Sequence, residues 1–87
     1  MAQFKLVLKK TVAKDLRGIP KGDVEKILKR INALTHDPRP MGAEKLTNQE
    51  RYRIRQGIYR ILYEIQDIEL VIVVVKVGNR GDVYRKR

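Results

Sequence analysis

RYRIRQGIYRILYEI, residues 51–65, decides the fold, because its side chains alternate with period two on both sides of a single glycine. In the first arm Arg51, Arg53 and Arg55 share one parity, and Tyr52 and Ile54 share the other. In the second, Tyr59, Ile61, Tyr63 and Ile65 make an apolar side, leaving Ile58, Arg60, Leu62 and Glu64 opposite. This alternation predicts two half-buried strands, 51–56 and 58–66, and Gly57 between them predicts a tight hairpin turn. A two-residue loop, whether Gln56-Gly57 or Gly57-Ile58, puts odd positions of the first strand on the face of even positions of the second. Arg53 and Arg55 then stand with Arg60, with no acid beside them. Like charges directly opposed in a sheet destabilise it by about 0.2–1 kcal/mol a pair. A sequence that keeps such a cluster is expected to offer it to an anion. The plainer readings are a solvated basic face, in which Arg60 pairs with Glu64 or Glu50, and a face turned to an anionic membrane.

Further along, ELVIVVVKV (69–77) is apolar at both parities from Leu70 to Val75, which predicts a central strand covered on both faces. In QFKLVLKK, Phe4, Leu6 and Leu8 alternate with Lys5, Val7 and Lys9, predicting a strand over about residues 2–8. KKTVAKDLRG predicts a short helix stopped by Gly18. Pro20 suits the first turn of a second helix, whose Val24, Ile27, Leu28, Ile31 and Leu34 form one apolar stripe at three- and four-residue spacing. DPRP ends that helix by about His36, since two prolines stand where helical residues would have to follow. MGAEKLTNQE reads as a loop with one short strand around Ala43 to Leu46, and Gly78 and Gly81 mark a break before the tail DVYRKR. Helices early and strands late predict an α+β domain: a mainly antiparallel β-sheet with the two N-terminal helices packed on one face.

A chain of 87 residues suffices for one such core and not for two, so a single domain over 1–87 is expected. The absence of cysteine excludes disulfides and thiolate metal sites and fits a cytoplasmic protein. MAQFKLVLKK lacks the apolar stretch of a signal peptide, and the longest apolar run, Leu70 to Val75, is far too short to cross a bilayer. Twenty Lys and Arg against ten acids give a formal charge of +10. That field attracts polyanions, nucleic acid foremost. Ten of the bases fall in residues 1–43 and ten in 44–87, so no separate basic tail carries the charge.

YRIRQGIYRILYEI, followed by ELVIVVVKVGNR and DVYRKR, resembles the C-terminal half of the RelE family of bacterial toxins, within the RelE/ParE superfamily. The N-terminal strand, the helix pair with IPKGDVEKILKRI and the DPRP stop fit as well, so the resemblance covers nearly the whole chain. It implies a RelE-like toxin of a type II toxin–antitoxin system, an endoribonuclease that enters the ribosomal A site, cuts mRNA there and inhibits translation. Its partners would be the ribosome, mRNA and a cognate antitoxin. Position by position, the resemblance assigns Arg53 and Arg55 to binding the phosphate and helping to activate the ribose 2′-OH. It assigns Arg60 to stabilising the crowded phosphorane, Arg80 to assisting the leaving 5′-oxygen and Tyr84 to stacking on a base.

Elementary chemistry meets part of that scheme independently. Cleavage by a 2′-OH requires in-line positioning, stabilisation of charge growing at phosphorus, and proton transfer at two oxygens. Guanidiniums meet the second need as bidentate phosphate donors, and a tyrosine ring meets the first by stacking. Proton transfer is not accounted for, because arginine stays protonated where a lysine can titrate. His36 is the only histidine, which excludes a paired-His mechanism within one chain, and its place in the last helical turn points to a capping or dipole role. No cofactor is expected, and the ten acids are too scattered for a two-metal nuclease. Tyr52, Tyr59 and Tyr63 read as core, Asp67 and Glu69 as flanks of a turn, and Lys26, Lys29 and Arg30 as a solvated helix face. Two other functions fit the sequence less well: a ParE-like inhibitor of DNA gyrase, and a non-catalytic nucleic-acid-binding module.

Overall fold

The computed structural model describes residues 3–46 and 51–79. Its elements in chain order are β1 (Lys5–Leu8), α1 (Lys10–Arg17), α2 (Lys21–Leu34), β2 (Glu44–Lys45), β3 (Arg51–Gln56), β4 (Tyr59–Gln66) and β5 (Val71–Asn79). The strands form one sheet in the order β1-β5-β4-β3-β2, antiparallel except where β1 lies parallel to β5. Both helices cover the same face of that sheet. Val12 of α1 and Ile27, Ile31 and Leu34 of α2 pack against Ile54, Tyr59, Ile61, Tyr63, Ile65, Ile72, Val74 and Val77. These strand residues are the apolar parity of the hairpin, continued onto β5. The expected α+β architecture is therefore what the chain adopts. Leu28 is the exception in the helical stripe and lies exposed, while Val24 is half-buried.

Several boundaries differ from the sequence reading for local reasons. The hairpin loop is Gly57-Ile58, since Gln56 pairs with Tyr59. Gly57 has φ 62 and Ile58 is not in the left-handed region, so the glycine occupies the first central position, as a type II′ turn requires. Ile58 is thus in the turn and β4 begins one residue later than expected. β5 also starts late, at Val71, because Leu70 takes a left-handed φ of 57 and closes the preceding turn. Gly18 ends α1 as expected, and Pro20 is the residue before α2 begins. Thr35, not His36, caps the helix end: its hydroxyl donates to Asn32 C=O at 2.6 Å, and its own C=O accepts from Phe4 N–H at 2.8 Å. His36 lies exposed just beyond.

β5 lies between β1 and β4, and β4 is the middle strand. The apolar run at both parities has two causes. Val73 and Val75 are buried along with Ile72 and Val74. In addition the pairing shifts between Leu62 and Tyr63, which face Lys76 and Val74, so Val75 is the extra residue of a bulge. Even-numbered residues point into the core before it and odd-numbered Val77 after it.

α1 completes the edge of β5. β1 stops at Leu8, opposite Val74, which leaves the next backbone groups of β5 without a strand beside them. The Thr11 hydroxyl donates to Val75 C=O at 3.1 Å, and Val77 N–H donates to Asp15 Oδ2 at 3.1 Å. Asp15 Oδ1 also pairs with Lys76 Nζ at 3.1 Å. Side chains of the helix thus satisfy a stretch of sheet edge that would otherwise invite pairing with another chain.

A basic sheet face as the candidate functional site

The register of the hairpin places the basic residues. Arg55 is directly opposite Arg60, Arg53 is opposite Leu62, and Arg51 is opposite Glu64. Arg53, Arg55 and Arg60 therefore share the face of the sheet away from the helices, as their parity predicts. On its other side Arg60 faces Gly78 of β5, which has no side chain to compete for the space. Arg60 is 7% exposed, whereas Arg55 is open to solvent. Burying a guanidinium beside a second one raises the electrostatic potential of this face, since the low-dielectric surroundings screen it less than water would.

Two acids border the cluster, contrary to the reading that none lies beside it. Glu64 pairs with Arg51 through its Nε at 3.0 Å, so Glu64 is not the partner of Arg60. Glu50, the other expected partner, lies outside the described residues. Glu44 is the second acid. β2 pairs antiparallel with β3, Glu44 opposite Arg53 and Lys45 opposite Tyr52, which turns Glu44 onto the arginine face. Its carboxylate makes an ion pair with Arg53. The Arg53 hydrogen bond, then the Arg53 charge, with smaller contributions from Arg55 and Arg60, hold this carboxyl below the usual carboxylate range. Sequence reasoning missed Glu44 because a two-residue strand has too few positions to show a period; the short strand was visible, its register was not.

Arg80 and Tyr84 lie outside the described residues, so the face as described brings together Arg53, Arg55 and Arg60. The other tyrosines behave as core. Tyr63 is fully buried and donates to Pro38 C=O at 2.7 Å; burial pushes its hydroxyl up to about 12. Tyr59 donates to Asp23 Oδ2 at 3.1 Å, and Tyr52 stacks on Tyr63 with ring centroids 5.8 Å apart. Asp67 does more than flank a turn. Arg39 reaches it through a fork of two hydrogen bonds, 2.9 and 3.2 Å, while Arg39 Nε donates to the Tyr52 hydroxyl at 3.0 Å. This clasp ties the loop after α2 to the β4–β5 turn and holds Asp67 below its ordinary range.

Lys26 and Lys29 are exposed on α2, with Arg30 half-buried, as a solvated face should be. Concave surface lies beside the hairpin tip, lined by Asp23, Lys26, Gln56, Gly57, Ile58 and Tyr59. Among the described residues no three His, Asp or Glu side chains converge as metal ligands, and no helix is long and apolar enough to cross a membrane.

A five-stranded, mostly antiparallel sheet with two helices on one face is the architecture this chain shares with solved toxins of toxin–antitoxin pairs. The family model for the ParE toxin of the parDE type II toxin–antitoxin system matches residues 6–84. RelE1 of Methanocaldococcus jannaschii is 28% identical over 87 residues, covering 95% of this chain and 97% of its own. Among solved structures, a chain of the archaeal RelE–RelB complex of Pyrococcus horikoshii superposes with a TM-score of 0.78 at 27% identity, over 91% of this chain and 97% of that one. A chain of the RelBE2 toxin–antitoxin complex of Mycobacterium tuberculosis superposes with a TM-score of 0.81 over 91% of this chain and 100% of that one; at 22% identity it shows the shared fold. The chain belongs to the RelE/ParE superfamily of toxins of type II toxin–antitoxin systems.

Proposed function

We propose that this toxin is a ribosome-dependent endoribonuclease that cuts mRNA in the A site and is held silent by a cognate antitoxin. The observation that supports it is the placing of Arg53, Arg55 and Arg60 on one sheet face, away from the helices, with Arg55 directly across from Arg60. In this reading Arg53 and Arg55 clamp the scissile phosphate, each guanidinium matching two phosphate oxygens. Arg60, preorganised by burial, stabilises the charge that grows as the 2′-oxygen attacks phosphorus. Arg80 assists departure of the 5′-oxygen and Tyr84 stacks on a base. The solved relatives in complex with RelB support an antitoxin partner.

A second reading comes from the name of the matching family: inhibition of DNA gyrase, as expected of a ParE-like toxin. Primer extension on a translated message after brief expression separates the two. Discrete cuts within codons support the ribonuclease. Gyrase-dependent DNA breaks with intact message overturn it.

A further inference from the structure

We propose that Glu44 is an internal occupant of the anion site, holding Arg53 in place in the free toxin and competing with RNA phosphate for it; this rests on the ribonuclease reading above. A carboxylate and a phosphodiester each present two oxygens to the fork of a guanidinium, so they contend for the same donors. The geometry favours an exchangeable contact. The side chain of Arg53 is 18% exposed and that of Glu44 is 56% exposed, so the acid stands on the solvent side of the base, where a ligand must approach. Glu44 also sits on a two-residue edge strand, while Glu64, which pairs with Arg51, belongs to the middle strand and is 29% exposed. Arg51 at one end of the row is thus neutralised by a fixed acid, and Arg53 beside it by a displaceable one. Glu44 is a positioning residue that sets the affinity of the site for phosphate.

The experiment measures binding of an RNA oligonucleotide, made uncleavable by a 2′-deoxy sugar at the scissile position, to the full chain by fluorescence anisotropy. Glu44→Gln should bind about fivefold tighter at low salt, the scale of one exposed ion pair, and the gain should shrink as salt is raised. In an Arg53→Ala background the same substitution should change affinity much less. Equal or weaker binding by Glu44→Gln, with binding still lost in Arg55→Ala, overturns the role of Glu44 and leaves the arginine site standing. A wild-type chain that does not bind the oligonucleotide overturns competition at this site, whereas if neither Arg55→Ala nor Arg60→Ala slows cleavage on programmed ribosomes, the ribonuclease reading fails and this proposal with it. Glu44→Gln that binds as wild type but slows cleavage on programmed ribosomes makes Glu44 a participant in proton transfer and likewise overturns competition.

Discussion

Arg55 and Arg60 face each other across one rung of the hairpin, yet they differ in what they can be asked to do. Arg60 is almost fully buried, whereas Arg55 is exposed. Replacing Arg60 with Ala should lower cleavage on programmed ribosomes by about 10²–10³-fold while ribosome binding persists, because many other bases share the binding load. A thermal melt alongside checks that the variant is folded, and an unchanged rate in the folded protein removes Arg60 from the chemistry. Arg55→Lys keeps the charge and loses the fork. Activity should fall if Arg55 clamps phosphate; a rate that matches or exceeds wild type, with a new pH dependence, would show that this position limits proton transfer.

Tyr63 gives a prediction at the same scale. Its hydroxyl titrates near 12 in the folded chain against 10.0 for an ordinary tyrosine, so it stays protonated after its unfolded counterpart has ionised. That difference is absent below pH 10 and removes stability as pH rises through the window from about 10 to 12. Tyr63→Phe should lose about 1 kcal/mol at neutral pH through the Pro38 hydrogen bond, and its stability should fall less steeply over that alkaline window in urea titrations. A slope equal to wild type would mean that burial of this hydroxyl does not govern the alkaline limb.

Among the elements, α1 has the most to reveal, since its eight residues serve the sheet through polar side chains as well as through Val12. Asp15→Ala strips an acceptor from Val77 N–H and the partner from Lys76. It should cost about 1–3 kcal/mol in equilibrium unfolding, whereas Asp15→Asn, which keeps an acceptor, should recover a large part of it. Equal losses in both would assign the effect to charge. Most elements were legible in the sequence because each buries one face, and burial writes its period into the residues: 2 in β3 and β4, 3.6 in α2. The facing of Arg53, Arg55 and Arg60 followed from the same parity. What stayed hidden depends on partners distant in sequence. The bulge reads as a plain apolar run, the register of β2 needs β3 beside it, and the Arg39–Asp67 clasp joins residues 28 apart that no local pattern links.

For the molecule as a whole, a formal charge of +10 on 87 residues means that, under the proposed function, association with RNA should be a counterion-release process. The logarithm of the binding constant should fall linearly with the logarithm of salt concentration, by about 0.7 for each phosphate contacted on a single strand. Titrations of the inactive Arg60→Ala protein with RNA from low to moderate salt read the slope directly, and a flat line would dismiss phosphate recognition. The Val75 bulge adds a consequence of another kind. Around it β5 alternates strictly, Ile72, Val74 and Val77 inward, Val73 and Lys76 outward, so Val75 amounts to an insertion in a regular strand. Omitting it from the chain would leave the facing pairs of the ladder as they are, Arg60 still opposite Gly78, while Thr11 would lose the carbonyl that anchors the helix. The hold of α1 on the sheet is therefore encoded partly in chain length. Among relatives it would surface as a gap in an alignment, not as an exchange of one amino acid for another.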